Sequence, residues 1–416
     1  MHLSPSRSLP VLCLALVAVA VGSEAQPYWN QWRGPNRDAI SPDTGLMRQW
    51  PQGGPRLIWK ATGLGGGFSG ISRWADRLFT MGDKADTCYL VAIDATDGKV
   101  LWSTPVGRSG GNDRLRPGPR CTPATDGDLV FALGQYGDLV CAEAGTGKLV
   151  WRLSYQEDLG ARTVPQWNFA ESPLLDGERL ICLPGGPNGY MAALDKKTGK
   201  VIWQTSQITD NANYTSVIAA DIAGVHQYIA MSDARVIGVS SEGKVLWEAK
   251  RQGRSAVIPT PIYKDGIVFV TSGYGVGAHA FRITSHDGQF KAEEIYANRE
   301  LANHHGGAIL VGDYIYMSAE PGRLTCAEFR TGKIIWKDDS VGKGSLVYAD
   351  GNLILRSENG PVALVEATPE GYRERGRFQQ PERSKYNSWP HPVVTGGRLY
   401  LRDQDVLLCY DLKASN

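Results

Sequence analysis

The chain has 416 residues, of which 44 are lysine or arginine and 43 are aspartate or glutamate, so its formal net charge is +1. A charge this close to zero excludes nucleic acid or an anionic membrane as a partner recognised through net electrostatics. The length is sufficient for one large repeat domain or two ordinary domains, and the 49 glycines indicate many tight turns.

The N-terminus has the parts of a secretory signal. Arg7 supplies a positive charge, residues 11–21 form an apolar run, and the small residues Ser23 and Ala25 offer a cleavage site. The run is too short to span a membrane, and no later stretch is long enough. We therefore predict a signal peptide over residues 1–25 and an exported protein, periplasmic or extracellular, without a transmembrane segment. An uncleaved anchor is the alternative.

One short phrase recurs along the rest of the chain: a turn that contains Gly-Lys, then two apolar residues and a tryptophan. The phrase ends at Trp102, Trp151, Trp203, Trp247 and Trp336. The successive tryptophan spacings are 49, 52, 44 and 89 residues, and the last is about twice one period. A fixed period of this size indicates a repeat architecture.

The stretch between Trp102 and Trp151 contains one full unit. It has four short apolar runs separated by Gly and Asp. The first begins at Pro123, and the others cover residues 129–133, 138–142 and 149–151. This pattern, without a helical period, indicates antiparallel β-structure. Four strands in a period of about 40 to 50 residues are typical of a β-propeller blade.

Counting the fourth strands gives eight blades, including two blades in which the tryptophan is replaced near Tyr296 and near Phe378. The chain ends with three strands that lack a fourth, whereas its first strand, at residues 57–59, lacks three predecessors. We predict an all-β fold over residues 56–413: an eight-bladed β-propeller of four-stranded antiparallel blades, with one blade closed by both termini. Such closure removes two exposed sheet edges.

Two features outside the repeated phrase need an interpretation. Residues 26–55 precede the ring, and we expect them to pack on the surface of the propeller through Trp29, Trp32 and Trp50. Six cysteines remain after the predicted cleavage, and three of them occupy one slot of the repeat in which other units have Ala or Gly. That slot requires a small residue, so we predict free, buried thiols rather than disulfides.

The repeated phrase, preceded by an apolar strand such as Leu-Val-Ala-Ile-Asp at residues 90–94, resembles the PQQ-like propeller repeat. That family includes quinoprotein dehydrogenases and the lipoprotein of the outer-membrane β-barrel assembly machine. The opening Trp-Arg-Gly-Pro-Asn-Arg at residues 32–37 resembles exported PQQ-like proteins of planctomycete-type bacteria. The resemblance covers nearly all of the chain after residue 25. The resemblance implies the fold but does not determine the function, because proteins with the same fold have many different functions.

The order of the strands in a blade places the starts of the first strands and the second-to-third loops on one face of the ring. The mouth of the central channel on this face is our site hypothesis. Residues there that the repeat does not require are the ligand-binding candidates: Arg120, Glu171, Tyr214, His304, His305, Lys343, Glu358, His391, Arg402 and Asp403. Trp167 and Trp389 lie outside the repeated tryptophan position and are candidates for stacking on a ring-shaped ligand.

Each candidate also has a structural interpretation. The charged residues can form a ring of ion pairs that holds the blades together. Trp167 and Trp389 can pack under long loops instead of contacting a ligand. We expect the adjacent His304 and His305 to point apart on a strand, and no third ligand has diagnostic spacing, so no metal site is predicted.

These observations favour an exported binding or interaction scaffold with a polar ligand site at the channel mouth. We expect a monomer whose partner is a protein or a glycan. The resemblance implies one alternative, a quinoprotein dehydrogenase that uses PQQ and calcium, and a sugar-active enzyme at the same mouth is another. The chain has no pair of adjacent cysteines, which the family's dehydrogenases commonly carry. Glu171, Asn168 and Asp403 offer oxygen ligands, but their spacing does not require a calcium site.

Overall fold

The computed structural model describes residue 1 and residues 28–110, 117–162, 164–254 and 256–414. In this part of the chain the regular structure consists of 33 β-strands, without a helix. Accordingly, the described residues include no apolar helix of membrane-spanning length. The predicted signal peptide, residues 1–25, lies outside the described residues apart from residue 1.

The first two strands in the chain are β1 (Ile40–Ser41) and β2 (Leu57–Ala61). The next sixteen strands form four consecutive sheets of four strands each, blades 1 to 4. Blade 1 contains β3 (Ser72–Trp74), β4 (Arg77–Lys84), β5 (Thr87–Asp94) and β6 (Val100–Arg108). Blade 2 contains β7 (Ala124–Thr125), β8 (Leu129–Leu133), β9 (Asp138–Glu143) and β10 (Leu149–Ser154). Blade 3 contains β11 (Leu174–Asp176), β12 (Arg179–Cys182), β13 (Ala192–Asp195) and β14 (Val201–Gln204). Blade 4 contains β15 (Ile218–Ile222), β16 (Val225–Met231), β17 (Arg235–Ser240) and β18 (Val245–Lys250).

The remaining strands complete four more sheets. Blade 5 contains β19 (Ile262–Lys264), β20 (Ile267–Ser272), β21 (Gly277–His286) and β22 (Gln289–Asn298). Blade 6 contains β23 (Asn303–Val311), β24 (Tyr314–Ala319), β25 (Arg323–Glu328) and β26 (Ile334–Asp338). Blade 7 contains β27 (Gly344–Ala349), β28 (Asn352–Ser357), β29 (Pro361–Glu366) and β30 (Glu374–Gln379). Blade 8 contains β31 (Val393–Thr395), β32 (Arg398–Asp403) and β33 (Val406–Asp411), together with β2.

The strands of each blade run from the axis of the ring outward. The first strands of neighbouring blades contact each other, as β3 does with β7 and β23 does with β27. The fourth strand of each blade is therefore on the circumference. The eight-bladed, all-β propeller that the sequence predicts is confirmed, including the two fourth strands without a tryptophan, β22 and β30.

Both termini build blade 8, as the sequence predicts. The N-terminal strand β2 pairs antiparallel with the C-terminal strand β33, and Trp59 lies opposite Cys409. The strand order in this sheet is β2-β33-β32-β31. Hydrogen bonds between residues more than 340 positions apart therefore close the ring, and two sheet edges are removed.

The repeated tryptophan lies opposite the small-residue slot of the neighbouring strand. The aligned pairs are Trp102 with Ala92, Trp151 with Cys141, Trp203 with Ala193, Trp247 with Gly238, Trp336 with Cys326, and Trp59 with Cys409. All six cysteines in the described residues are buried and free. The prediction of free thiols in this slot is confirmed, because a larger side chain would compete with the indole for the same space.

At several blade junctions the same tryptophan also joins one blade to the next. The Trp102 ring covers Gly147 in the turn of blade 2, and its Nε1–H donates to the Ala144 carbonyl oxygen at 3.3 Å. Trp151 covers Gly199 in blade 3 in the same way, and its Nε1–H donates to the Lys196 carbonyl oxygen at 2.9 Å. The Gly-Lys turn and the tryptophan thus recur together because these turns receive the indole of the preceding blade.

Residues 28–55, the N-terminal segment, enter the centre of the ring. Trp29, Arg33 and Arg37 are buried, and β1 pairs in parallel with the innermost strand β27. Hydrogen bonds tie this segment to residues on or next to the innermost strands of seven blades: Trp29 with Arg73, Asn30 with Thr125, Gln31 with Leu175, Trp32 with Thr260, Arg33 with Ala308, Ala39 with Tyr348, and Asp43 with Gly397. Residues 29–41 therefore fill the central channel.

We expect Gly147→Ala to destabilise the protein by about 2–4 kcal/mol, because it adds strain and overpacking at one blade junction. A Cβ on Gly147 would lie 2.6 Å from a ring carbon of Trp102, and the backbone φ of Gly147 is +75°. Urea unfolding followed by tryptophan fluorescence measures the difference. Gly145→Ala in the same turn is the matched control, because nothing lies within 4 Å of its added Cβ. Equal stability of the two variants would contradict this account of the turn.

Candidate functional site

A cavity lies at the channel mouth, on the face that carries the starts of the first strands. It encloses about 130 Å³ of space that water-sized solvent can reach. Its described walls combine aromatic rings with imidazole, hydroxyl and guanidinium groups: Trp32, Phe68, Arg120, Trp167, Ala170, Ser172, Tyr214, Ser216, Ile258, Tyr274, His304, His305, Trp389, Pro390 and His391. The volume is close to that of an engineered cavity of about 150 Å³ that binds benzene, so it suits one six-membered ring.

Aromatic rings contact each other in pairs around this cavity. The ring centroids of Trp167 and Tyr214 are 5.3 Å apart, and those of Phe68 and Trp389 are 5.0 Å apart. The backbone N–H of Trp167 also donates to the Tyr214 hydroxyl at 3.3 Å. Such pairs hold their rings rigidly, so the walls present fixed apolar faces to a ligand.

The N-terminal segment contributes the floor through Trp32. The Trp32 Nε1–H donates to the Thr260 hydroxyl at 2.9 Å, and the Trp32 ring centroid is 4.5 Å from that of His391. Because the segment fills the channel below, the cavity is a closed-ended pocket rather than the entrance to a pore.

Arg120 lies on the wall of the cavity beside Phe68. Its Nη1–H donates to the Gly118 carbonyl oxygen at 3.0 Å, and its guanidinium carbon is 5.4 Å from the Phe68 ring centroid. These contacts orient the guanidinium group. Arg120 is the residue of permanent charge among the described lining residues, which include no carboxylate or carboxamide side chain.

His304 and His305 do not point apart, which corrects the expectation from the sequence. Their Nδ1 atoms are 3.4 Å from each other. The reason is a bulge in β23: Asn303 pairs with Ala319, but the next aligned pair is Ala308 with Met317, so residues 304–307 leave the alternating register. Side chains alternate only where the strand is regular, and the bulge therefore turns both imidazoles to the same side.

Glu358 stands behind the histidine pair. Its Oε1 lies 3.3 Å from His305 Nδ1 and accepts a 2.7 Å hydrogen bond from the indole N–H of Trp389. Lys343 lies behind it, with Nζ 3.8 Å from Glu358 Oε1 and 3.6 Å from Glu320 Oε1. Glu358 and Lys343 thus support the wall from outside the cavity.

Two buried imidazoles keep a nitrogen without a hydrogen-bond partner among the described residues. These atoms are Nε2 of His305 and Nδ1 of His391, whereas His391 Nε2 lies 2.9 Å from the His305 carbonyl oxygen. Burial lowers the pKa of His305 well below its usual range and that of His391 to about 3. Both rings are therefore neutral at physiological pH.

Two other predicted candidates, Arg402 and Asp403 at the end of β32, are not among the described lining residues. Arg402 is fully buried and donates to the carbonyl oxygens of Gly65 and Gln404, each at 3.0 Å. Asp403 accepts hydrogen bonds from the Ser388 hydroxyl at 3.0 Å and from the Ser384 N–H at 3.2 Å. The polar atoms of these residues bond to other parts of the protein and not to the cavity, which agrees with a role in holding the structure together.

Glu171 is also buried outside the described lining. Its Oε1 accepts hydrogen bonds from the Tyr155 hydroxyl and the Leu183 N–H, both at 2.7 Å. Burial raises the pKa of the Glu171 carboxyl to about 7, against the partial opposition of these hydrogen bonds and of Arg37. Arg37 belongs to the N-terminal segment and is itself buried, and burial lowers its pKa to about 9.

The sequence interpretation omitted three aromatic lining residues, Trp32, Phe68 and Tyr274. Phe68 precedes the first strand of blade 1, and Tyr274 lies in the second-to-third loop of blade 5. Both positions follow the rule that selected the other candidates, so applying it to every blade would have found them. Trp32 is different, because no feature of the repeat indicates that the N-terminal segment enters the channel.

Known proteins share this fold and repeat. Residues 86–338 match the PQQ_2 family, described as "Outer membrane protein assembly factor BamB". The chain belongs to this family. The outer membrane protein assembly factor BamB of Shewanella oneidensis is 25% identical over 289 residues, which cover 67% of this chain and 70% of that protein.

Solved structures agree with the PQQ-repeat assignment. BamB from Moraxella catarrhalis superposes with a TM-score of 0.62 at 15% identity, covering 86% of this chain and 100% of that one. The quinohemoprotein alcohol dehydrogenase from Comamonas testosteroni superposes with a TM-score of 0.66 at 12% identity, covering 94% of this chain and 82% of that one. At this level of identity the likeness concerns the fold alone.

The described residues of the cavity do not fit PQQ with calcium. Calcium takes six to eight oxygen ligands, chiefly carboxylates and carbonyls, and the described lining has no carboxylate or carboxamide. Glu171, Asn168 and Asp403, which the sequence offered as oxygen ligands, are not among the lining residues.

We expect Glu171→Gln to flatten the dependence of stability on pH between about 4.5 and 7. In this window the folded protein retains a proton on Glu171 that the unfolded chain has already lost, because the folded pKa is about 7 and the ordinary value is 4.5. Stability therefore falls as pH rises through the window and then levels off. The wild-type contribution lost is on the order of 3 kcal/mol.

Urea unfolding at pH 4.5, 6 and 8 measures this effect in the wild type and the variant. Glu157→Gln, which changes an exposed carboxylate in a nearby loop, is the control and should keep the wild-type profile. If Glu171→Gln also keeps that profile, the carboxyl does not hold the extra proton.

Proposed function

We propose that the protein is an exported binding scaffold that holds a polar, ring-shaped ligand, the terminal ring of a glycan, in the cavity at the channel mouth. The predicted signal peptide supports export. The name of the matching relatives, outer membrane protein assembly factor, is consistent with a place outside the cytoplasm and with a scaffold rather than a catalyst. In this proposal the protein acts as a monomer and does not bind nucleic acid.

The observation that carries the proposal is the composition of the cavity wall. Flat aromatic faces, such as those of Trp167 and Trp389, stand beside polar groups that include the Tyr214, Ser172 and Ser216 hydroxyls. Sugar rings have the matching chemistry, because their C–H faces pack on aromatic rings and their hydroxyls need hydrogen-bond partners. A cavity that suits a single six-membered ring agrees with this class in size.

The positive charge of Arg120 favours an acidic sugar among the possible sugar ligands. Arg120 supplies a positive charge among the described lining residues. A carboxylate on the sugar ring can make charge-assisted hydrogen bonds with the guanidinium group. The neutral His305 and His391 provide further polar atoms without adding charge.

Isothermal titration of the full-length protein with a uronic-acid-terminated oligosaccharide and its neutral counterpart tests the proposal. We expect the acidic sugar to bind, and the neutral sugar to bind about 10-fold more weakly, because it lacks the charge-assisted contact. PQQ with calcium, added at saturating concentration, should leave the melting temperature unchanged.

Two variants connect this binding to the cavity. Arg120→Gln should remove the preference for the acidic sugar, and Trp167→Ala should weaken both sugars by roughly 3- to 10-fold through the lost ring contact. Arg152→Gln is the control for Arg120, because Arg152 is exposed on blade 2 and donates to the Pro105 carbonyl oxygen outside the cavity. Binding of neither sugar, or a melting shift with PQQ and calcium together, would overturn the proposal.

A further inference from the structure

Two lining residues of the cavity, His304 and His305, and Glu358 behind them form a group of three potential metal ligands. One nitrogen each from His304 and His305 and one oxygen from Glu358 all lie within 4.8 Å of one another. In the described residues this is the only group of three or more His, Cys, Asp or Glu side chains with that spacing. We propose that these three residues bind a divalent transition-metal ion of the zinc class.

The separations between the ligand atoms match those around a tetrahedral ion. With bonds of about 2.0–2.1 Å to nitrogen and oxygen, two ligand atoms of a tetrahedral site are ~3.4 Å apart. The two Nδ1 atoms of His304 and His305 are 3.4 Å apart, and His305 Nδ1 is 3.3 Å from Glu358 Oε1. All three ligand atoms lie within 4.8 Å of one another.

The backbone fixes this arrangement before any ion binds. Adjacent residues of a regular strand face opposite sides, and only the bulge at residues 304–307 places both imidazoles together. Gly307, with a φ of +68°, allows the turn that ends the bulge. A site whose two nitrogen ligands are held by the backbone requires little reorganisation to bind a metal.

Outer contacts orient the carboxylate ligand, as they do in established metal sites. The Trp389 indole N–H donates to Glu358 Oε1 at 2.7 Å. Lys343 balances part of the negative charge, since its ammonium lies between Glu320 and Glu358 at 3.6 and 3.8 Å. The two carboxylates exceed the single ammonium by one negative charge, which favours a bound cation.

The donor set selects the ion. Two imidazoles with one carboxylate suit zinc, copper, nickel or iron, whereas calcium prefers oxygen ligands alone. Three protein ligands leave the fourth tetrahedral position for a water or a ligand group. His304 and His305 line the cavity, so this open position faces the space proposed for the sugar. The metal site is argued from the ligand geometry and does not depend on what else the cavity binds.

Metal titration of the chelator-treated full-length protein, with no organic ligand present, tests the site. We expect one equivalent of Zn²⁺ to bind, and Co²⁺ to give the visible absorption bands of a four-coordinate site. His304→Ala and Glu358→Gln should each weaken Zn²⁺ binding by at least about 10-fold. Circular dichroism and the melting temperature confirm that each variant is folded; His304 is only half-buried, and Gln has the shape of Glu.

His279→Ala is the matched control. His279 also stands beside a carboxylate, with Nδ1 2.7 Å from Glu294 Oε2, but it lies on the outer part of blade 5 without a third ligand among the described residues. This variant should bind Zn²⁺ as the wild type does. Absence of stoichiometric binding in the wild type, or wild-type affinity in both folded ligand variants, would overturn the metal site. Neither result changes the outcome of the sugar titration in metal-free buffer, so the two proposals fail separately.

Discussion

The indole that covers a glycine in the next blade is the contact on which the ring depends. Each such tryptophan fills the space opposite a small residue in its own blade and donates its N–H to a carbonyl oxygen of the following turn, as Trp151 does with the Lys196 oxygen. The indole ring buries a large apolar surface, and the hydrogen bond from its N–H fixes the orientation of the ring. The contact recurs at four junctions, where Trp59, Trp102, Trp151 and Trp203 cover Gly98, Gly147, Gly199 and Gly243. Where tryptophan is absent, Tyr296 keeps the arrangement, with its hydroxyl donating to the Phe329 oxygen at 2.7 Å.

The N-terminal segment fills the central channel of the ring. A propeller channel lined by eight innermost strands is commonly wet, but here residues 29–41 occupy it and bury two arginines, Arg33 and Arg37. Burial lowers the pKa of both, and Glu171 is the charged partner whose field most favours the cation on Arg37. The cavity at this mouth is thereby a shallow space above the segment, and Trp32 forms its floor.

The fold was predictable because the repeat encodes it many times. The Gly-Lys turn, the small-residue slot and the tryptophan all take part in one packing contact. Because the three features recur together, each repeat supports the strand assignment of the others. The candidate site is less repetitive. The rule that first-strand starts and second-to-third loops meet at the mouth selected Arg120, Tyr214, His304 and His391, which line the cavity. It also selected Glu171, Arg402 and Asp403, which are not among the described lining residues. A sequence cannot separate the two sets, because only the packing decides whether a side chain turns to the cavity. The bulge at residues 304–307 was equally hidden, since strand alternation is the default expectation for adjacent histidines.

Closure of blade 8 by both termini imposes an order on assembly. Strand β2 leaves the ribosome early, yet its partner β33 ends at Asp411, so the circle remains open until almost the whole chain has been synthesised. The segment that fills the channel lies just before β2 in the chain, and it is bonded to seven blades that do not yet exist when it is made. The N-terminal segment and β2 therefore lack their native partners until the C-terminal strands have been synthesised.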